Sequence, residues 1–275
     1  MAYRCELLTA SVNPCGVPLY SILLTYPRVM HAELLTHRMF SKNSASSRAI
    51  PTAKMISLLE ADPYYPIRWG KNQSGMQAKD ENLDQYEEAQ ARAIWNNMMR
   101  VCIDGVRRLN ELGLHKQWAN RPLEWFSWIT VVLSATDFSN FFGLRDHPAA
   151  MPEFQFVAHG IKELIASTEP KQLHCGDWHM PFTDDYADLV AAGYEHNDIV
   201  KISAGRCARV SYLNHNGTRD PKDDIALADR LAGQNPGHWS PFEHVAMAQN
   251  DRERCRNFRG FTQLRAFLEQ SSVET

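Results

Sequence analysis

The chain has 275 residues, 44% of them hydrophobic, and a formal net charge of -3, enough for one large domain or two small ones with a real core. The slightly acidic balance excludes a general nucleic-acid binder, which carries a basic excess, so any anion site has to be local. Six cysteines without a Cys-x-x-Cys pair fit a reducing cytoplasm rather than a disulfide framework, and neither signal-peptide character nor a run of the roughly 20 apolar residues that span a bilayer is visible.

Residues 5–11 and 20–25 read as two short strands around the turn Asn13-Pro14-Cys15-Gly16. Thr25 is placed to cap a helix with Pro27 at its first position, and Val29, Ala32, Leu35 and Met39 then share one face. Past that helix, Ser41, Asn43, Ser44, Ser46 and Ser47 offer short hydrogen-bonding side chains, and Lys42 and Arg48 add charge. Such a turn binds phosphate through fixed dipoles and a guanidinium fork, or is a solvated loop. Residues 50–80 read as irregular, with breakers at Asp62-Pro63 and Tyr65-Pro66. The glycine-bracketed loop from Trp69 to Gln77 is either a second pocket wall or a surface excursion.

From Asp80 to Leu112, apolar residues recur at three and four residues through Leu83, Tyr86, Ala93, Met98, Cys102, Val106 and Leu109, which predicts a long scaffold helix ending at Gly113. Trp118 to Phe142 reads as a buried helix with a polar flank, or as a segment whose small polar side chains face a planar cofactor. His174-Cys175-Gly176-Asp177-Trp178-His179 gathers possible metal ligands, but no second cluster with suitable spacing follows, so no metal is assigned. Gly205 to Tyr212 reads as a strand, with Cys207 as packing rather than as a nucleophile. Asp220-Pro221 opens a helix through Leu231, and the tail from Asn257 to Arg265 reads as helical and basic.

Three blocks resemble the flavin-dependent thymidylate synthases. His37-Arg38, seven residues, Ser46 and then Arg48 resemble their Arg-His-Arg, seven residues, Ser signature, with Thr36 in place of the first Arg, Ser44 of a usual Glu and Ala49 of a common Tyr. Leu144-Arg145, four residues, Ala150-Met151-Pro152-Glu153 resembles Leu-Arg, four residues, Ala-Gln-x-Glu. Here Met151 replaces Gln, and Trp118, Ser134 and Thr136 stand where the family has Arg, Asn and Arg. Ala208-Arg209-Val210-Ser211-Tyr212, a helix, then His238-Trp239-Ser240-Pro241-Phe242-Glu243-His244 resembles Ala-Ala-Arg-Val-Ser-Phe, a helix, His-x-Thr/Ser-Pro-Phe-Glu-His. In the usual members this last block precedes the His-Arg signature. Here it follows, as a circular permutation would leave it and as in virus-encoded relatives, and the strand containing Val245 is expected to pair next to residues 20–25.

The resemblance implies an α/β (α+β) fold, a central sheet flanked by long helices, in one domain over residues 1–275 that carries the blocks 27–50, 115–160 and 203–248. It implies a cytoplasmic enzyme that reductively methylates C5 of a deoxypyrimidine monophosphate, dUMP to dTMP. Methylenetetrahydrofolate would give the carbon, and FAD reduced by NADPH the hydride. The alternatives are the same chemistry on dCMP, a hydroxymethylating variant, and a non-catalytic nucleotide- or RNA-binding homologue.

By the same resemblance, Glu33, Thr36, Ser44, Ser46, Arg48 and Arg145 bind substrate, with Arg145 donating to the O2 and N3 edge of the ring. His37, Arg38, Ser134, Thr136, Asn140, Ser211, His238, Ser240 and Glu243 line the flavin. Read without the family, His238 and His244 are core histidines and Glu243 a partner of Arg209. The family assembles as homotetramers with active sites shared among subunits, and neither membrane nor nucleic acid is an expected partner.

Overall fold

The computed structural model describes residues 3–78, 81–210 and 220–273. Strands β1 (Arg4–Val12) and β2 (Pro18–Pro27) form the expected hairpin. Asn13 Oδ1 accepts from the Cys15 and Val17 amides at 3.1 and 2.8 Å, and Gly16 takes the positive φ of the turn.

The helix expected from Pro27 to Met39 is mostly absent. Pro27 closes β2, since a proline pushes the preceding residue toward extended backbone, and Thr25 sits in the strand with its hydroxyl 3.1 Å from that of Thr130. Only a 3-10 turn (Arg28–Met30) and one helical turn, α1 (His31–Leu35), follow, and they bury Met30 and Leu34 rather than Leu35.

The polar stretch after them is strand β3 (Ser41–Ser44), not a loop. Helix α2 (Thr52–Ala61) lies in a stretch expected to be irregular; Thr52, Met55, Ile56 and Leu59 are its buried, helically spaced face. The long helix α3 (Gln85–Glu111) is present as expected, started by a reciprocal Asp84–Glu87 capping box and followed by Gly113 at positive φ. After α4 (Lys116–Ala119) and a 3-10 turn (Arg121–Phe126), the apolar run read as a helix is strand β4 (Trp128–Ala135). It is central and buried on both faces, so its hydrophobicity is continuous and shows no period of two.

Helices α5 (Ser139–Arg145) and α6 (Pro152–Ala166) lead to β5 (Lys171–Gln172). The main sheet has the order β3-β4-β2-β1-β5, antiparallel except for the β1–β5 pair. Helices α5 and α6 share a core with it, in which Phe141, Phe154, Val157 and Ile161 meet Ile22, Leu24 and Leu133. A second layer packs α2 and α3 around Met55, Leu59, Ile103, Val106 and Phe126.

The C-terminal part holds β6 (Trp178–His179), α7 (Tyr186–Ala191), α8 (His196–Ala208), α9 (Pro221–Ala232), β7 (Ala246–Ala248), β8 (Arg254–Cys255), β9 (Phe258–Arg259), β10 (Phe261–Gln263) and α10 (Leu264–Val273). The strand expected from Gly205 is the end of α8. Small residues let α9 approach so closely there that a Cβ on Gly205 would lie 2.2 Å from the Asp224 carbonyl oxygen. Helix α9 opens as expected, with Asp220 capping the Lys222 amide. The segment after Val245 pairs with β6 and β10, not with β2, whose two edges are already taken by β1 and β4. The tail expected to be helical is β9 and β10 until Leu264. Among the described residues no helix is long and apolar enough to cross a membrane.

Candidate active site

Arg145, the last residue of α5, reaches back to the turn between α1 and β3. Its Nε donates to His37 Nε2 at 3.0 Å, its Nη1 donates to Glu33 Oε2 at 3.1 Å, and its guanidinium lies 4.6 Å from the centre of the Phe154 ring. His37 is buried, stacked near Phe40 and edge-on to Phe141. Burial, then the charges of Arg145 and Lys42, push its pKa down to about 4. The ring is therefore neutral near pH 7, accepts at Nε2, and carries its proton on Nδ1. Lys42 Nζ donates to the His37 carbonyl at 2.7 Å; burial lowers it to about 8, opposed by the charge of Glu243.

The outer edge of β3 meets a 3-10 turn (Ser240–Glu243), so the first and last of the three sequence blocks touch. Asn43 joins them, donating to the Cys207 carbonyl at 2.7 Å and accepting from Ser240 Oγ at 3.0 Å. Glu243 accepts from Arg265 Nη1 at 2.6 Å, while Arg209, read as its possible partner, pairs with the buried Asp224. His238 is near enough to Arg48 that the guanidinium, after burial, lowers its pKa. Burial also drives the Cys207 thiol well up, which suits packing and not nucleophilic attack.

The loop carrying Ser46 and Arg48 is held from behind. Asn120 Nδ2 donates to the Ser47 and Ile50 carbonyls at 2.8 and 2.9 Å, Ser47 Oγ donates to Glu124, and Lys116 Nζ donates to the Ala49 carbonyl. Arg48 stays exposed, and Ser46 accepts the Arg48 amide at 3.3 Å. Arg38, Asn140 and Thr36 are exposed, Thr36 donating to the Glu33 carbonyl, and Ser44 is half-buried. Thr136 accepts the Arg259 amide. Ser211 lies outside the described residues.

Ser134 faces the other way, into a buried chain of polar groups that the sequence did not signal. Ser134 Oγ is 2.5 Å from Ser21 Oγ and 2.8 Å from His244 Nδ1; Ser21 Oγ is 2.8 Å from His179 Nε2, whose Nδ1 is 2.9 Å from Ser11 Oγ. Both histidines are fully buried, and burial pushes each down to about 3, so both are neutral. Among the described residues, the buried His244 Nε2 has no hydrogen-bond partner. His179 belongs to the stretch weighed as a metal site. Among the described residues no group of three or more His, Cys, Asp and Glu is arranged to hold a metal ion.

The family model described as "Thymidylate synthase complementing protein" matches residues 14–171, which contain the His37-Arg38 and Leu144-Arg145 blocks and stop short of the third. No curated protein matches the chain. Among solved structures, the UMP/dUMP methylase PolB from Streptomyces cacaoi bound with 5-Br UMP aligns at a TM-score of 0.50 and 16% identity, over 60% of this chain and 89% of PolB. A second PolB structure, bound with 5-Br dUMP, aligns at 0.46 and 18%, over 54% of this chain and 67% of that one.

Proposed function

Because this chain belongs to the thymidylate synthase complementing protein family, that of the flavin-dependent thymidylate synthases, we propose that it methylates C5 of a pyrimidine nucleoside monophosphate, with dUMP as the first substrate. The observation that carries this reading is the posture of Arg145. A neutral histidine and a carboxylate fix its Nε and one Nη1 donor, among the described residues, and leave the rest of the fork for a planar, hydrogen-bonding ligand.

In this reading Arg48 and Ser46, on their braced loop, take the phosphate, with Ser44 and Thr36 beside them. Arg145 donates to the O2 and N3 edge of the base and stabilises the negative charge that develops as C5 becomes nucleophilic. His37 orients Arg145 without competing for charge, and Glu33 holds the outer end of the guanidinium.

The polar set around the β3 edge fits a flavin in its chemistry. The exposed Arg38 and Asn140, with His238 near Arg48, offer donors to a diphosphate and a ring edge, and the buried His37 precedes Arg38 in the chain. Ser134, Ser240 and Glu243, which have partners within the chain, support that wall from behind, with Thr136 at its margin; Ser211 completes the proposed set. FAD bound there, reduced by NADPH, supplies the hydride, and methylenetetrahydrofolate the carbon. The contact of β3 with the Ser240–Glu243 turn supports a single permuted domain, since it sets the first and third blocks side by side. A cytoplasmic homotetramer with shared sites completes the proposal.

The test offers purified protein FAD, NADPH and methylenetetrahydrofolate with dUMP, dCMP and UMP in competition, and weighs the products by mass spectrometry. UMP joins the set because the PolB structures are of a UMP/dUMP methylase. A 14-dalton gain on dUMP, about that of one methylene, supports the proposal; a gain on dCMP or UMP moves the specificity, and a hydroxymethyl mass moves the product. Protein that neither turns over nor takes up FAD is the binding homologue, a reading favoured by the inward engagement of Ser134, Ser240 and Glu243.

A further inference from the structure

The basic tail contains a two-stranded ribbon, β8 and β9, in which Arg254 stands opposite Arg259 and Cys255 opposite Phe258. Phe258 is buried in a core with Leu19 and Phe261, so alternation turns Arg254 and Arg259 to the other face, where both are exposed. Two like charges directly opposite each other across a strand pair repel. The arginines beside them have partners: Arg252 donates to the Cys15 carbonyl, and Arg256 pairs with Glu269. Neither Arg254 nor Arg259 has an ion pair among the described residues.

The ribbon is fixed from three sides. Asn13, fully buried in the first turn, donates from Nδ2 to the Asp251 and Gly260 carbonyls at 2.8 and 3.1 Å. Asn257 Nδ2 donates to Ser41 Oγ at 2.9 Å, and the Arg259 amide donates to Thr136 Oγ1 at 3.1 Å. Arg254 Nη2 touches Met39 Sδ. The ribbon thus bridges from the start of β3 to the end of β4, where Arg38 and Asn140 are exposed. Thr136 stands where the family resemblance places an arginine. Since its hydroxyl holds the Arg259 amide, a guanidinium from the tail comes beside the position from which one is missing.

Asp137 offsets part of this charge. Its carboxyl is held below the usual range by the Ser139 hydroxyl and amide, and then by Arg259 and Arg254. One carboxylate against two guanidiniums leaves a net positive charge on the rim.

We propose that Arg254 and Arg259 are the pair that grips the diphosphate of bound FAD. A diphosphate carries anionic oxygens on two phosphorus atoms, so it can engage both guanidinium forks at once and relieve their repulsion. This rests on the flavin reading and adds to it a segment outside the family match over residues 14–171.

Equilibrium dialysis of the full chain against FAD tests the pair without turnover. Arg254→Gln and Arg259→Gln should each weaken FAD binding about tenfold. Without FAD, neither substitution should lower the melting temperature, because each removes a repulsion and Arg259→Gln keeps its backbone bond to Thr136. Weakened binding with a lowered melting temperature would make the pair structural and overturn the inference. Undiminished FAD affinity in the double variant, or a loss confined to NADP+, would overturn it and leave the flavin reading standing. Wild-type protein that binds no FAD would overturn both.

Discussion

His37 and His244 are both buried histidines held neutral, and they sit in opposite kinds of surroundings. His37 is bound to a guanidinium whose far side opens toward Glu33 and solvent, so its neutrality is available to orient a donor. His244 ends a buried run of hydroxyls and a second imidazole, with its outer nitrogen unpartnered among the described residues. Neutrality alone therefore does not mark a catalytic histidine. What differs is whether the group it touches reaches a ligand, and that difference separates a candidate site from a polar core.

The largest effect should come from the open side. Arg145→Ala is expected to lower kcat/KM by about 10²–10³-fold with the fold retained, read by steady-state kinetics and a thermal melt. Arg145→Lys should recover little, because an ammonium cannot bond His37, Glu33 and a base edge in one plane. Full activity in Arg145→Lys would mean that only charge is needed there.

The sealed side should answer in stability instead. His244→Ala removes one of the two partners of Ser134 Oγ, leaving Ser21 Oγ, and opens a cavity beside it, at a cost of about 3 kcal/mol, measured by urea unfolding. An equal loss in His37→Ala would erase the contrast drawn between the two rings.

These roles were unequally legible in the sequence. The hairpin of β1 and β2 and the long α3 announced themselves through turn chemistry and a steady helical period, and the spacing around His37 and Leu144-Arg145 named residues that do come together. Strand β4 did not, because burial on both faces removes alternation. Strand β3 hides its alternation differently: Ser41 and Asn43 are buried while Lys42 and Ser44 are half-buried, but the buried pair is polar, so hydropathy shows no period of two. Helix α8 is buried around most of its circumference from Ile199 to Ala208, which erases its helical stripe. The seat of Ser134 was invisible for another reason: Ser21 and His244 are distant in the chain, and only register places Ser21, Ser134 and Ser41 in one row across β2, β4 and β3.

pH should separate the two environments by a smaller margin. The unfolded chain returns His179 and His244 to about 6.5, whereas the folded chain holds both near 3. Their neutral burial thus contributes fully above pH 6.5 and is lost as pH falls from there toward 3, each ring removing up to about 1.4 kcal/mol per pH unit. Urea midpoints taken from pH 7 to pH 4 should fall with a slope that shrinks in His244→Asn. A flat profile would mean that water reaches these rings.

The smallest effect tests the boundary between the two regions, where Ser240 joins Asn43. Ser240→Ala deletes one part-buried hydrogen bond of 3.0 Å, and Asn43 keeps its 2.7 Å bond to the Cys207 carbonyl. The expected loss is about 1 kcal/mol with FAD affinity changed less than about threefold, since one such bond acting from behind the wall is worth little to a ligand. If FAD titration instead shows affinity falling more than tenfold at unchanged stability, Ser240 turns outward to the flavin. The open region then extends across β3, and the sealed polar core begins only at Ser134.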